Sequence, residues 1–233
     1  MELYLLSLGK LEWKMKLHTG KVYEPEEMLK SNKFYEPNIM RECFKLLDKD
    51  TIFVDIGANM GVFSLPACQL CKNVIAIDPD IDRCLWIAEN GFINQIDNLQ
   101  TINLAIADYE GKGYTGCNMS PSLSGRNFRF STDKNKYSNS KMTRVNKLDN
   151  IFIEKDKYVV KIDVEGSEYL VLNGMEQMIK DNPNIKIVCE VHEKMMKDIF
   201  NITLDDFNKL LDKLNLKKTK LEDTGLHYLL EVK

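Results

Sequence analysis

Short runs rich in β-branched and apolar residues recur along the chain, and most are followed by a segment with helical spacing. The runs lie at residues 51–56, 73–78, 100–105, 158–163 and 185–190. Strands that alternate with helices form right-handed βαβ units, because parallel neighbours need a crossover connection. The alternation therefore predicts an α/β fold around a mostly parallel sheet with both faces buried.

The C-terminal end of the chain departs from this alternation. Residues 216–222 and 227–232 look like two closing strands, with a turn at Thr224 and Gly225 between them. Two strands joined by a tight turn must be antiparallel. We therefore expect a sheet of seven strands that ends in an antiparallel C-terminal edge hairpin.

The length of 233 residues suits one large domain. We assign residues 1–34 to an N-terminal extension that packs on the main domain, which spans residues 35–233. A segment at about 109–147 interrupts the alternation and is rich in Gly, Ser, Asn and Lys, so we expect a hairpin followed by a flexible basic loop. Two interpretations of that loop remain: a lid over an anionic substrate, or a solvated surface loop.

Composition excludes several classes of protein. Lys plus Arg number 32 and Asp plus Glu number 35, giving a net charge of −3, so we expect no nucleic acid as the main partner. No apolar run approaches the length of a membrane span, and no secretory signal is visible. The six cysteines, including the pair Cys68 and Cys71, suit buried reduced thiols and a cytoplasmic protein. The sequence does not define an oligomeric state.

A glycine-containing turn follows the first run of the alternation. Asp55, Gly57, Asn59 and Gly61 lie where a buried strand turns into a helix. Glycines there permit tight turning and close approach of a ligand to the backbone, and a helix start favours an anion. Asp78 ends the next strand, at the spacing where an acidic side chain accepts hydrogen bonds from ribose hydroxyls. These residues predict a site for an adenosine cofactor.

The residues of this turn discriminate between cofactors. A dinucleotide fingerprint needs glycines where this chain has Asn59 and Val62, and Asp55 would repel a pyrophosphate. An ammonium group together with a carboxylate fits better, which favours the methionine end of S-adenosylmethionine. An NAD-dependent oxidoreductase remains an alternative, as does a helix N-terminus without a ligand.

Two ordered signatures resemble those of a known family. Residues 53–61, FVDIGANMG, look like the V-D-x-G-A-N-x-G segment of FkbM-type methyltransferases. Residues 160–168, VKIDVEGSE, resemble the second signature of that family, I-D-x-E-G-x-E. Shorter similarities lie at residues 35–37, 172–174 and 190–192, so the likeness runs over most of the chain.

The resemblance implies a Rossmann-like class I methyltransferase fold that uses S-adenosylmethionine. It further implies O-methylation, with a small-molecule or glycan hydroxyl, such as that of a sugar, as acceptor. The residues assigned to the cofactor are Glu36, Asp55, Gly57, Ala58, Asn59, Gly61, Asp78, Ala105, Ile106, Asp108 and Asp163.

Acidic residues and one histidine cluster after the fourth and fifth predicted strands, where ligands of open α/β sheets collect. The candidate catalytic residues are Asp163, Glu165, Glu168, Glu190 and His192. An unperturbed imidazole titrates near neutral pH, so His192 is our preferred general base, with Glu165 or Glu190 as alternatives if burial raises their pKa. Asp163 would bind the ammonium of the cofactor or orient the substrate.

Other interpretations of the same residues stay open. Asp163 and Glu190 could hold Mg²⁺, which would polarise the acceptor oxygen. Gly166 could serve only the turn, Glu168 could favour the dipole of the next helix, and His192 could simply face solvent. A catalytically inactive protein that uses the fold for interactions is the non-enzymatic alternative.

Overall fold

The computed structural model describes residues 2–17, 29–31, 33–34, 36–116, 129–152, 154–221 and 226–233. Its strands are β1 Glu2–Leu8, β2 Leu11–Leu17, β3 Thr51–Ile56, β4 Asn73–Asp78, β5 Leu99–Asn103, β6 Ala105–Ile106, β7 Gly111–Gly116, β8 Arg129–Ser131, β9 Lys141–Asn146, β10 Lys157–Ile162, β11 Lys186–Glu190, β12 Leu216–Lys220 and β13 His227–Val232. Its α-helices are α1 Pro37–Phe44, α2 Ser64–Ala67, α3 Ile81–Ile93, α4 Glu168–Asn173, α5 Glu176–Asp181, α6 Glu193–Phe200 and α7 Leu204–Lys213.

Seven strands form the central sheet in the order β12-β13-β11-β10-β3-β4-β5. The five strands from β11 to β5 are parallel, whereas β13 pairs antiparallel with both β11 and β12. The predicted fold class, including the antiparallel hairpin at one edge, is therefore confirmed. The turn predicted at Thr224 and Gly225 lies outside the described residues.

Alternate residues of the central strands enter two separate hydrophobic clusters. Val54 and Val160 pack with helices α4, α5 and α7 on one face of the sheet. Phe53 and Val159 pack on the other face with α1 and the hairpin β1–β2. Successive side chains of a strand point to opposite faces, so adjacent apolar residues serve both layers. This burial on both faces explains why the sequences of the central strands are continuous apolar runs and do not alternate between apolar and polar residues.

The N-terminal hairpin β1–β2 packs against α3, and side chains of that helix form hydrogen bonds with backbone groups on the outer edge of β2. Asn90 and Asn94 accept from the backbone N–H groups of Lys16 and Lys14, at 2.6 and 2.7 Å. Trp86 donates its indole N–H to the carbonyl oxygen of Lys16 at 2.6 Å. These bonds pair backbone groups of Lys14 and Lys16 with side chains of α3 and so attach the described part of the hairpin to the main domain.

In the segment at 109–147 we expected a flexible loop, and this expectation is wrong for the residues that the structure describes. β7, β8 and β9 join β6 in a second, four-stranded sheet of order β6-β9-β7-β8. Two lysines of the segment have partners: Lys141 lies 3.3 Å from Asp82, and Lys136 donates to the carbonyl oxygen of Asp198. Long-range strand pairing overrides the polar composition here. Residues 117–128 lie outside the description, so the idea of a lid stays a prediction.

Two helices differ from their predicted extent. Helical pattern predicts a helix from about Met60, but α2 begins at Ser64 because Gly61 has a φ of 82°, which no helix accepts. The sequence also predicts one helix from about Ser167 to Lys180, but the structure breaks it into α4 and α5 at Gly174. A Cβ on Gly174 would lie 2.2 Å from the carbonyl oxygen of Ala107, so the backbone there is shaped by a close approach.

Other local predictions are confirmed. Thr203 followed by Asp206 three residues later is the sequence pattern of a capping box, and the two residues form one at the start of α7. The five described cysteines, which include Cys68 and Cys71, are buried free thiols. Within the described ranges, no helix combines the length and the apolar character that crossing a bilayer would require.

Candidate functional site

The turn after β3 runs through three residues with positive φ. Gly57 has a φ of 81°, Asn59 of 52° and Gly61 of 82°. Four of its backbone amides donate within the protein: those of Gly57 and Ala58 to the carbonyl oxygen of Ile77, that of Asn59 to Asp78, and that of Gly61 to Ala58. These four amides are not available for a ligand's carboxylate in this state. The turn therefore offers a ligand mainly its shape and close backbone approach.

Asp78 stands at the end of β4, beside this turn. Its carboxylate accepts the backbone N–H groups of Asn59 and Asp80, both at 2.9 Å. Burial raises the pKa of Asp78 to about 6, although these two hydrogen bonds act in the opposite direction. The aspartate predicted to hold a ribose thus adjoins the predicted cofactor turn.

The segment predicted to border the adenine lies at the same edge of the sheet. Ala105 and Ile106 are buried in β6, and Leu104 just before them donates its backbone N–H to the carbonyl oxygen of Asp78. Asp108 accepts a hydrogen bond of 2.8 Å from Asn173 at the end of α4. The backbone of residues 104–106 is therefore close to Asp78, whereas the carboxylate of Asp108 is already engaged.

Asp55 is buried below the turn, with an exposed fraction of 1%. It accepts a hydrogen bond of 2.6 Å from the hydroxyl of Ser64, and its other oxygen lies 3.6 Å from the ammonium of Lys161. Asp55 thus acts on the turn through its field and through these partners, and its predicted role toward an ammonium group stays a prediction.

A compact group of carboxylates and imidazoles lies at the ends of β10 and β11, and we call it the acid–imidazole cluster. Its central members are Asp163, Glu165, Glu168, Glu190 and His192. Glu168, fully buried, binds Nδ1 of His192 at 2.7 Å. Nε2 of the same ring lies 3.2 Å from Glu190 and 4.0 Å from Glu165. His192 therefore does not simply face solvent, and Glu168 does more than favour the dipole of α4.

The cluster continues to residues that sequence reasoning did not place there. His227 at the start of β13 lies 3.4 Å from Glu36 and 3.5 Å from the second oxygen of Glu190. Glu36, predicted to bind the cofactor, is thereby brought beside Glu190. In the sequence His227 is only one residue of a closing strand, since nothing local signals a contact with residues about 40 and 190 positions away.

Electrostatics distinguish the groups of this cluster. Burial alone would lower the pKa of His192, but its hydrogen bonds to Glu168 and Glu190 raise it to about 11. Burial by itself would raise the pKa of Glu190, but hydrogen bonds from both imidazoles hold it well below the usual range. At neutral pH His192 therefore carries its proton already, which favours a carboxylate over His192 as the general base.

Two carboxyl groups of the cluster hold protons more tightly than usual. Burial raises the pKa of Glu165, against the attraction of His192 and Arg129. Burial, opposed by Lys161 and reinforced by Glu190, raises the pKa of Asp163 to about 7. Of the two alternatives to His192, Glu165 meets the condition of a raised pKa and Glu190 does not.

The backbone between these groups needs an unusual conformation. Glu165 has a φ of 53° and Gly166 one of 107°. A Cβ on Gly166 would lie 2.7 Å from the side chain of Met195 in α6. The glycine of this signature is thus required by the turn, and the turn projects Glu165 into the cluster.

The predicted metal pair is not brought into one group. Among the described residues, ligand atoms within 4.8 Å of one another occur in two sets, one with Asp163, Glu165 and His192, the other with Glu36, Glu190 and His227. Asp163 and Glu190 fall in different sets, and nothing in the structure supports Mg²⁺ in particular. A metal ion here stays a prediction.

The stability of the protein should depend on pH through His227. Burial lowers the pKa of His227, but Glu190 and Glu36 outweigh it and raise the pKa from 6.5 to about 9. The folded state holds this proton more tightly than the unfolded chain, so the stabilisation is complete below pH 6.5 and lost as the pH rises through about 9. We expect the free energy of unfolding to fall by about 2 kcal/mol over this interval.

Urea unfolding at the two ends of the interval measures this loss. The variant His227→Gln should show a weaker pH dependence than wild type, and what remains should have the same sign, because the pKa of His192 is also raised, to about 11. An undiminished decrease in His227→Gln would show that His227 is not the group responsible.

Comparison with known proteins agrees with the signatures. A family model described as the methyltransferase FkbM domain matches residues 55–221. No curated protein sequence matches the chain.

Three solved structures are similar to the chain over most of its length. Trm5b from Pyrococcus abyssi has 15% identity and a TM-score of 0.47; the match covers 98% of this chain and 54% of that one, so the chain spans about half of Trm5b. A ribosomal protein L11 methylase from Lactobacillus delbrueckii subsp. bulgaricus has 11% identity, a TM-score of 0.49 and coverage of 99% of both chains. A SAM-dependent methyltransferase from Aquifex aeolicus has 10% identity, a TM-score of 0.47 and coverage of 89% of this chain and 97% of that one.

Proposed function

The chain belongs to the FkbM methyltransferase domain family, and from that premise we propose that it transfers a methyl group from S-adenosylmethionine to a hydroxyl oxygen of a sugar, glycan or small molecule. The observation that carries this proposal is the junction of the turn after β3 with the end of β10. A Cβ added to Gly57 would lie 1.8 Å from the backbone oxygen of Asp163, so the turn touches the first residue of the acid–imidazole cluster. A donor in the turn would therefore present its methyl group to that cluster.

The residues around the turn fit the donor's chemistry. Asp78 would accept hydrogen bonds from the ribose, and the backbone of Ala105 and Ile106 would border the adenine. Asp163 keeps 29% of its side chain exposed and would face the donor's amino-acid end, where a carboxylate suits an ammonium group. When bound, S-adenosylmethionine supplies an electrophilic methyl group on a sulfonium.

The acceptor side is proposed to work through Glu165. An acceptor hydroxyl must lose its proton as the new C–O bond forms, and a positioned carboxylate of raised pKa can take it. The imidazolium of His192, fixed by Glu168, orients Glu165 and Glu190 around the acceptor. The carboxylate-rich lining suits the hydroxyl groups of a neutral polyol or sugar better than an anionic acceptor.

Binding of S-adenosylhomocysteine, the product of the donor, tests the cofactor assignment by calorimetry. We expect Asp78→Asn to weaken this binding by about tenfold or more, because a hydrogen bond to a charged acceptor is lost. Asp82→Asn is the matched control: its side chain is 74% exposed and pairs with Lys141 on the surface. No affinity in the wild-type protein would contradict the donor, and an unchanged affinity in Asp78→Asn would contradict the role of Asp78 alone.

An NAD-dependent oxidoreductase is the competing enzyme class. Asn59 stands where that class needs a glycine so that the backbone can approach a pyrophosphate. Added NADH that leaves the protein's calorimetric signal unchanged would support the methyl donor, whereas tight NADH binding would favour the oxidoreductase.

A further inference from the structure

Lys161 is a buried cation near the end of the central strand β10. Its exposed fraction is 5%, and lysines are almost never buried to this degree without partners. Its ammonium lies 3.2 Å from Asp163, 3.6 Å from Asp55 and 4.7 Å from the ring centroid of Phe63. Each of these partners flanks either the turn after β3 or the acid–imidazole cluster.

The strand register explains why one ammonium serves two carboxylates. Lys161 and Asp55 are directly paired positions of the parallel strands β10 and β3. Asp163 follows two residues later and projects on the same side of the sheet. Burial acts to lower the pKa of Lys161, but Asp163 and Asp55 outweigh it and raise the pKa above its ordinary value, so the side chain stays charged.

We propose that Lys161 is a positioning residue for the methyl donor: it holds one oxygen of Asp163 so that the other faces the donor's ammonium group. This inference rests on the proposed function. Lys161 is too deeply buried to contact a ligand itself, whereas Asp163 is partly exposed and can. The effect of Lys161 on the donor must therefore pass through Asp163.

The binding affinities of two nucleosides distinguish this positioning role from a general contribution of Lys161 to folding. S-adenosylhomocysteine carries the amino-acid end, and 5′-methylthioadenosine lacks it. We expect Lys161→Met to weaken S-adenosylhomocysteine binding by about tenfold while 5′-methylthioadenosine binding stays within about twofold of wild type. A purely structural role would change both affinities together.

A double-variant cycle tests whether the effect passes through Asp163. Asp163→Asn should weaken S-adenosylhomocysteine binding by itself, and Lys161→Met combined with Asp163→Asn should bind no more weakly than Asp163→Asn. If Lys161→Met alone does not fold, the comparison of Asp163→Asn with the double variant still tests the inference. The double variant removes the buried charge together with its partner, so it is expected to fold. Lys157→Met, on the same strand but paired with Asp48 on the surface, is the control and should bind like wild type.

Three outcomes would overturn the inference. Multiplied losses in the double variant would show that Lys161 acts independently of Asp163. Parallel losses for both nucleosides would reduce Lys161 to a structural residue. Failure of the wild-type protein to bind either nucleoside would remove the proposed donor and this inference with it, whereas the first two outcomes leave the donor in place.

Discussion

Gly57→Ala is expected to lower the free energy of unfolding by about 4 kcal/mol and to abolish S-adenosylhomocysteine binding. Two costs add at this position. A φ of 81° strains any residue that has a Cβ, and the new Cβ would lie 1.8 Å from the backbone oxygen of Asp163. Relieving that overlap must move the turn away from β10, and this separates the donor crevice from Asp163. Urea unfolding and calorimetry measure the two effects.

Gly9→Ala separates strain from overlap. Gly9, in the turn between β1 and β2, has a similar φ of 65°, but nothing lies within 4 Å of an added Cβ. We expect this control to lose only about 1 kcal/mol of stability and to keep its affinity for S-adenosylhomocysteine. Equal losses in the two variants would mean that the contact between Gly57 and Asp163 does not matter.

The second large effect is expected on turnover, in Glu165→Gln. The amide keeps the size of the side chain but cannot take a proton from the acceptor hydroxyl, so methyl transfer should fall about a hundredfold or more. Affinity for S-adenosylhomocysteine should stay within about twofold of wild type, because the donor is proposed to bind beside Asp163. The acceptor for this assay comes from a screen of hydroxylated sugars and small molecules that detects methylated product.

The control for the base is Glu193→Gln, in the first turn of α6, where the carboxylate is exposed. It should turn over like wild type. His192→Gln is the informative comparison: it removes the imidazolium that lies between Glu165 and Glu190 but leaves both carboxylates. Full turnover in Glu165→Gln together with none in His192→Gln would return the role of base to His192.

The positions of the residues proposed for the donor could largely be predicted from the sequence. Asp55, Gly57 and Asp78 were found by their positions at strand ends, and the parallel sheet places those ends beside one another. What the spacing did not predict is that the amides of the turn are already satisfied and that Asp55 is buried against Lys161. Such features depend on neighbours that the turn meets only after folding.

The acceptor side was predicted in part. The cluster of acids after β10 and β11 was expected, but the ionisation of His192 was not, because it is set by the fully buried Glu168. Glu36 and His227 joined the cluster from opposite ends of the chain. No local pattern encodes such a contact, since hydrophobic periodicity reports only which face of an element is buried.

The amino-acid sequence by itself determined the order of strands and helices, the parallel sheet and the glycine turn after its first strand, because backbone propensities and apolar periodicity act over a few residues. Only the tertiary structure decided which charged side chains form ion pairs, which of them keep a proton and which polar segment becomes a second sheet. Those properties arise from burial and from partners distant in sequence, and a desolvated carboxylate or imidazole takes its pKa from whatever the fold packs against it.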